Sequence, residues 1–217
     1  QLYKNNVYLQ QLGIPMVEMK LQGDVAEMPF VEQETALAHF RKIFTQDLEK
    51  LLAELQQFWE LILQSSEHVP YSEINWYQFV PGWENLSMQD TAGDKWYKLA
   101  HGTPEEQRSI GPILRRGYID LIALNCFYEA GKFIFYDQED YMEKLPAKVI
   151  LLRTIDCIYD EPTKEAVFPK AKMLAMFGLA ELEKEWRDFA WVFLTKFSLL
   201  ARKASSRVLS IQRFSLG

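Results

Sequence analysis

The sequence predicts an all-α fold, a single-domain bundle of about five to seven helices with long first and last helices. Three observations predict it. From Val31 to Ser66, Leu37, Phe40, Phe44, Leu48, Leu51, Leu55, Phe58 and Ile62 recur at steps of three and four. No Gly or Pro interrupts that run, so these residues fall on one stripe of a helix about 50 Å long. From Ile113 to Tyr136 apolar residues crowd most of a helical circumference, the pattern of a rod at the centre of a bundle. Near the C-terminal end, Leu182, Trp186, Phe189, Phe193, Phe197 and Leu200 form a second stripe, and two-residue alternation is rare throughout.

Taken in order, residues 1–30 read as an arm or short helix, and 31–217 as the bundle. Gly13-Ile14-Pro15 ends a short helix over 1–11. Residues 16–22 alternate weakly, but a lone strand shows no pairing partner, so they read as an extended arm or a poor helix. The long first helix starts near Pro29 to Glu32 and has Glu32 and Glu34 in its first turn, where acids suit the helix dipole. Residues 67–102 form an irregular, aromatic-rich insertion with Pro70, Pro81, Gly82 and Gly93. Thr103, Pro104 and Glu106 make a capping box with proline at the first helical position, and Gly111-Pro112 then kinks or restarts the helix. Asp137 to Asp140 mark an acidic helix entry, followed by a helix over about 140–160 with Pro146 as a kink. The last helix runs from Pro169 to Phe214, with a bend at Gly178.

Composition narrows the class. The 217 residues are 48% hydrophobic and 14% aromatic, enough to bury a full core without cross-links. Cys126 and Cys157 lie in apolar stretches without a CxxC partner, so they read as free thiols in a reducing compartment; a cytoplasmic location fits. Asn85-Leu86-Ser87 matches a glycosylation sequon, which counts only in a secretory setting. A net charge of −6 argues against nucleic acid as the partner. The charge is uneven: the stretch from Lys196 onward carries +5 and no acid, which leaves −11 on the rest.

Specific chemistry is scarce at this level. His39, His68 and His101 have no Glu three residues before them, and zinc-type Cys/His clusters are missing, so neither a metal nor another cofactor is expected. Asp137-Gln138-Glu139-Asp140 lacks the glycine and terminal glutamate of a calcium loop. No phosphate-binding glycine loop, dinucleotide fingerprint or serine elbow occurs, and Glu105 and Glu106 would repel an anion at the Thr103 cap.

Three features carry binding candidates. Trp76, Tyr77, Phe79 and Trp83 could anchor a partner or small ligand, or staple their own loop to the bundle. Arg115 and Arg116, with Arg108 before them, could grip a carboxylate or phosphate, or pair with acids such as Glu105 or Asp120. Arg202, Lys203, Arg207 and Arg213 interleave with Val208, Leu209, Ile211 and Phe214, as in a helix that contacts a partner or, weakly, an anionic membrane surface. The leading expectation is therefore a protein–protein interaction module, an adaptor, scaffold subunit or regulatory domain cut from a larger protein. The alternative is a ligand-binding or enzymatic bundle with a pocket lined by Arg115, Tyr128, Glu129 and Tyr136, in which Glu129 is the acid–base group. A helical ribonuclease of compact bundle type lacks the expected Arg-to-His spacing.

Overall fold

The computed structural model describes residues 1–23, 25–74, 102–160, 163–184, 186, 187 and 190. Over these residues it is a mixed α/β structure with seven strands in three small antiparallel sheets, which overturns the all-α bundle. Helix α1 (Leu2–Gln11) leads into the ribbon of β1 (Lys20–Gln22) and β2 (Val25–Glu27). Helices α2 (Ala36–Gln46) and α3 (Leu48–Gln64) follow, then the short β3 (His68–Val69). After the undescribed stretch come α4 (Pro104–Ile110), β4 (Ile113–Gly117), β5 (Cys126–Glu129), β6 (Lys132–Phe135) and β7 (Met142–Pro146). Helices α5 (Ala147–Ile158), α6 (Thr163–Val167) and α7 (Lys170–Met176) follow, then a 3-10 turn over Ala180–Leu182.

The predicted long first helix is two helices. Asp47 breaks them apart with a non-helical backbone (φ −153°, ψ 89°), and its side chain accepts the Lys50 N–H at 3.0 Å as the cap of α3. Thr35 caps α2 in the same way, accepting the Ala38 N–H at 3.2 Å. The stripe survives the break: Leu37, Phe40, Phe44, Leu51, Leu55, Phe58 and Ile62 are all buried. Part of 16–22, read above as an unpaired arm or poor helix, is strand β1, paired with β2 in the register Lys20↔Glu27 and Gln22↔Val25.

The largest correction falls on 113–146. The rod expected over Ile113 to Tyr136 is instead β4, a loop, and the β5–β6 hairpin. Ala130 (φ 48°) and Gly131 (φ 83°) supply two left-handed residues between β5 and β6, the backbone a two-residue hairpin turn needs. Strand β4 pairs with β3 (His68↔Leu114) and with β7 (Ile113↔Pro146, Gly117↔Met142). Gly117 is required there, because a Cβ would sit 2.4 Å from Leu145 Cβ. Pro146 does not kink a helix; it ends β7 with an extended backbone just before α5. Likewise Gly178 (φ 62°) follows the end of α7 rather than bending a continuing helix.

One core unites these pieces. It takes Leu9 and Ile14 from the N-terminal part, the α2–α3 stripe, Phe133 and Phe135 of the hairpin, and Val149, Leu152 and Ile155 of α5. The hairpin is also tied by its main chain: Phe135 N–H donates to Pro15 O, Val17 N–H to Phe135 O, and Tyr128 N–H to Glu34 O, each at 2.9 Å. No helix among the described residues is long and apolar enough to cross a membrane.

Candidate functional site

Of the expected binding residues, Arg115 and Arg116 lie among the described residues. Trp76, Tyr77, Phe79 and Trp83 lie outside the described residues, as do Arg202, Lys203, Arg207 and Arg213 and the sequon at Asn85. Arg115 and Arg116 are neighbours on a strand, so they point to opposite faces of the sheet and cannot share one anion. Arg115 pairs with Glu67 at 3.0 Å in solvent. Arg116 lies over the rings of Tyr8 (4.4 Å) and Tyr141 (5.3 Å), a cation–π site on its own chain. Glu129 is exposed at the hairpin end, which rules out the buried acid–base group expected of it. Tyr136 donates to Leu124 O and Tyr128 to Glu54, so both hydroxyls are engaged within this chain. Cys126 and Cys157 are free thiols, both pushed up by burial.

The structure assembles a different constellation around the loop from Tyr118 to Asn125. Leu121 N–H donates to Tyr118 O at 3.0 Å and Asn125 N–H to Ile122 O at 3.0 Å, so the loop is a pair of tight turns. Its apolar residues Leu121, Ile122 and Ala123 are buried, which leaves Asp120 and Asn125 half-buried at its two ends. Asn125 Nδ2 donates to Asp120 O at 3.2 Å and closes the loop. Asp120 Oδ1 accepts from Arg153 of α5 at 3.0 Å, and the same guanidinium donates to Ile119 O. Thr154 of α5 also accepts the Ala123 N–H at 3.3 Å.

The β5–β6 hairpin leaves this loop and returns to it. Tyr136 N–H donates to Asn125 O at 3.1 Å, so the residue after the hairpin lies beside the residue before it. Asp137 follows, exposed and left-handed at φ 59°, a conformation that Asp tolerates better than most residues. Gln138 is fully buried, and its Nε2 donates to Asp120 O (3.0 Å) and to Tyr136 O (2.7 Å). Its Oε1 is buried with no hydrogen-bond partner among the described residues. Gln138 thus clamps the Asp120 loop to the Asp137 turn. Charges are close here: burial, and then the Asp120 carboxylate, pushes Asp140 above the usual carboxylate range, opposed by the amino terminus. Burial, the Cys126 thiol and the Asp137 charge raise Tyr136.

Asp137 to Asp140 therefore form the turn between β6 and β7, not the entry of a helix. The signal that would have found the site lay in the spacing: an Asp and an Asn five residues apart, a hairpin-length apolar segment, and a second Asp directly after it. Among the described residues no group of three or more His, Cys, Asp and Glu side chains converges as for a cation held by protein alone. The donors Asp120, Asn125 and Asp137 are few and all hard oxygens, the set that suits Mg²⁺ or Mn²⁺ shared with phosphate, not zinc. Set against protein-family models, curated proteins and solved structures, the chain finds no match.

Proposed function

We propose that this region is the acidic half of a phosphoryl-transfer site, using a nucleotide and a divalent cation to phosphorylate a hydroxyl. The observation that carries this reading is the Gln138 clamp on Asp120 O and Tyr136 O, which with the Asn125 bonds to Asp120 O and Tyr136 N–H draws together the backbone carrying Asp120, Asn125 and Asp137. Asp120-Leu121-Ile122-Ala123-Leu124-Asn125 follows the Asp-Leu-x-x-x-Asn pattern of kinase catalytic loops, with the hairpin and Asp137 where such enzymes carry their second metal-holding acid. Tyr118-Ile119 replaces the His-Arg of that pattern, and Gln138-Glu139 replaces Phe-Gly. The 217 residues contain no glycine-rich phosphate-covering loop, so the proposal concerns the acidic half alone.

In this reading Asn125 and Asp137 hold the cation, which neutralises charge on the phosphate oxygens. Asp120 takes the proton of the acceptor hydroxyl at Oδ2, since Oδ1 is engaged by Arg153. Arg153 fixes the orientation of that carboxylate. The test is Mn²⁺ binding in the presence of ADP, followed by electron paramagnetic resonance. Asp137→Asn is expected to weaken binding about tenfold or more, as loss of a carboxylate ligand should. Asp120→Asn should largely keep binding while abolishing transfer. Wild-type protein that takes up no Mn²⁺ sinks the reading.

A second reading, the protein–protein interaction module, draws support from the β1–β2 region. Leu21, Val25 and Phe30 are 51%, 61% and 89% exposed there, on a ribbon whose outer edges are unpaired among the described residues. Phe30→Ser that leaves association and solubility unchanged would remove that support.

A further inference from the structure

We infer that Asn5 of α1 is a positioning residue for the Asp137–Asp140 turn, more than 130 residues away in sequence. Its functional consequence rests on the phosphoryl-transfer reading. Asn5 is 2% exposed, and Nδ2 donates to two successive carbonyls, Gln138 O and Glu139 O, each at 2.8 Å. Its Oδ1 accepts from Gln1 Nε2 at 2.9 Å, so all three of these bonds run through one amide. The turn needs this support. Asp137, Glu139 and Asp140 are exposed, and no strand ladder covers residues 136–141. It is held from the hairpin side by the Gln138 side chain and from α1 by Asn5. The two N–H donors of an uncharged amide meet both carbonyls at this depth; an Asp would oppose both oxygens and a Leu would leave both without this partner. Helix α1 is anchored independently, by the buried Leu9 and by Asn6 Nδ2, which donates to Val17 O at 3.0 Å. The position of α1 is therefore transmitted to the backbone that sets Asp137 beside Asn125.

Hydrogen exchange of the whole chain, read by mass spectrometry alongside the Mn²⁺–ADP titration, tests this. Asn5→Asp should speed exchange over 137–141 about tenfold, the size of effect expected from losing one to two hydrogen bonds. Mn²⁺ affinity should fall about fivefold with it. Asn5→Ala removes the donors without adding charge and serves if the Asp variant does not fold. Asn6→Asp, on the same helix, should destabilise the protein but speed exchange over 137–141 much less than either Asn5 variant, because Leu9 still holds α1 and the Asn5 bonds remain. The inference is overturned if neither Asn5 variant loosens the turn, or if Asn6→Asp loosens it equally. A loosened turn in a protein that binds no Mn²⁺ supports the positioning role and removes only the phosphoryl-transfer reading.

Discussion

Two polar clusters lie at opposite ends of the β5–β6 hairpin, and they are built in opposite ways. At the turn end, Glu54 of α3 is buried with both oxygens engaged: Oε1 accepts from Tyr128 OH and Oε2 meets His39 Nε2, each at 2.7 Å. The His39 and Tyr128 rings stack at 3.6 Å, which closes the cluster. At the other end, Gln138 and Asn125 tie main chain to main chain, while Asp137 stays exposed and Asp120 keeps one oxygen out of its Arg153 pair. The first cluster satisfies its polar groups internally and braces the hairpin against the helices. The second makes the backbone rigid and leaves carboxylate oxygens to the solvent side, the way a site for a ligand is made.

That contrast can be broken by substitutions that keep stability and binding apart. The largest effect belongs to Glu54→Ala, which removes the partner of the buried His39 and of the half-buried Tyr128. It should cost about 3 kcal/mol in urea unfolding and leave Mn²⁺–ADP affinity, measured under folded conditions, unchanged. Next, Gly117→Ala forces β4 off Leu145 and should cost about 2 kcal/mol. Asp137→Asn should lose about 1.4 kcal/mol of binding, the equivalent of tenfold, with stability within about 0.5 kcal/mol of wild type. If it destabilises like Glu54→Ala, both clusters are braces and the contrast fails. Tyr128→Phe should cost about 1 kcal/mol, for a single bond in an otherwise kept stack. Ala130→Gly relieves a left-handed turn residue and should change stability by about 0.5 kcal/mol or less, its relief offset by unfolded-chain entropy.

Alkaline pH sharpens the same contrast. Burial first, and then the Glu54 carboxylate, pushes Tyr128 up to about 12, and burial pushes Tyr118 up to about 12 as well. A phenol raised above its unfolded value near 10 holds its proton longer when folded, so the native state binds more protons between about pH 10 and 12. Their contribution is complete below pH 10 and is lost as pH rises through 12. Tyr128→Phe should flatten part of that decline in unfolding midpoint; an unchanged slope would separate Tyr128 from the brace.

How far these regions were legible in the sequence differs for physical reasons. The α2–α3 stripe was readable because a single capped break at Asp47 keeps its apolar residues facing one way. The segment 113–146 was misread because buried strands and a buried helix share a continuous apolar run, which periodicity cannot separate. Its local cues were Ile113, Ile119, Ile122, Phe127, Phe133 and Phe135, together with Ala130-Gly131 at a hairpin position. Read as one rod, Asp120, Asn125 and Asp137 spread along about 25 Å of helix; folded as loop and hairpin, their backbone is bridged by Gln138 and Asn125. The Arg115–Arg116 pair failed for the converse reason, because adjacency that is shared on a loop is divided by a strand.

The sequence by itself determined where apolar side chains had to be removed from water, and with them the helical character of 2–11, most of 36–64 and 104–110 and the burial of the α2–α3 stripe. It did so because hydrophobic spacing and capping act over a few residues. Tertiary structure alone decided that the central apolar run would be strands, that Gln138 would join the two acidic turns, and that Asn5 would reach them. Those outcomes depend on hydrogen bonds between residues distant along the chain, whose partners no local pattern names.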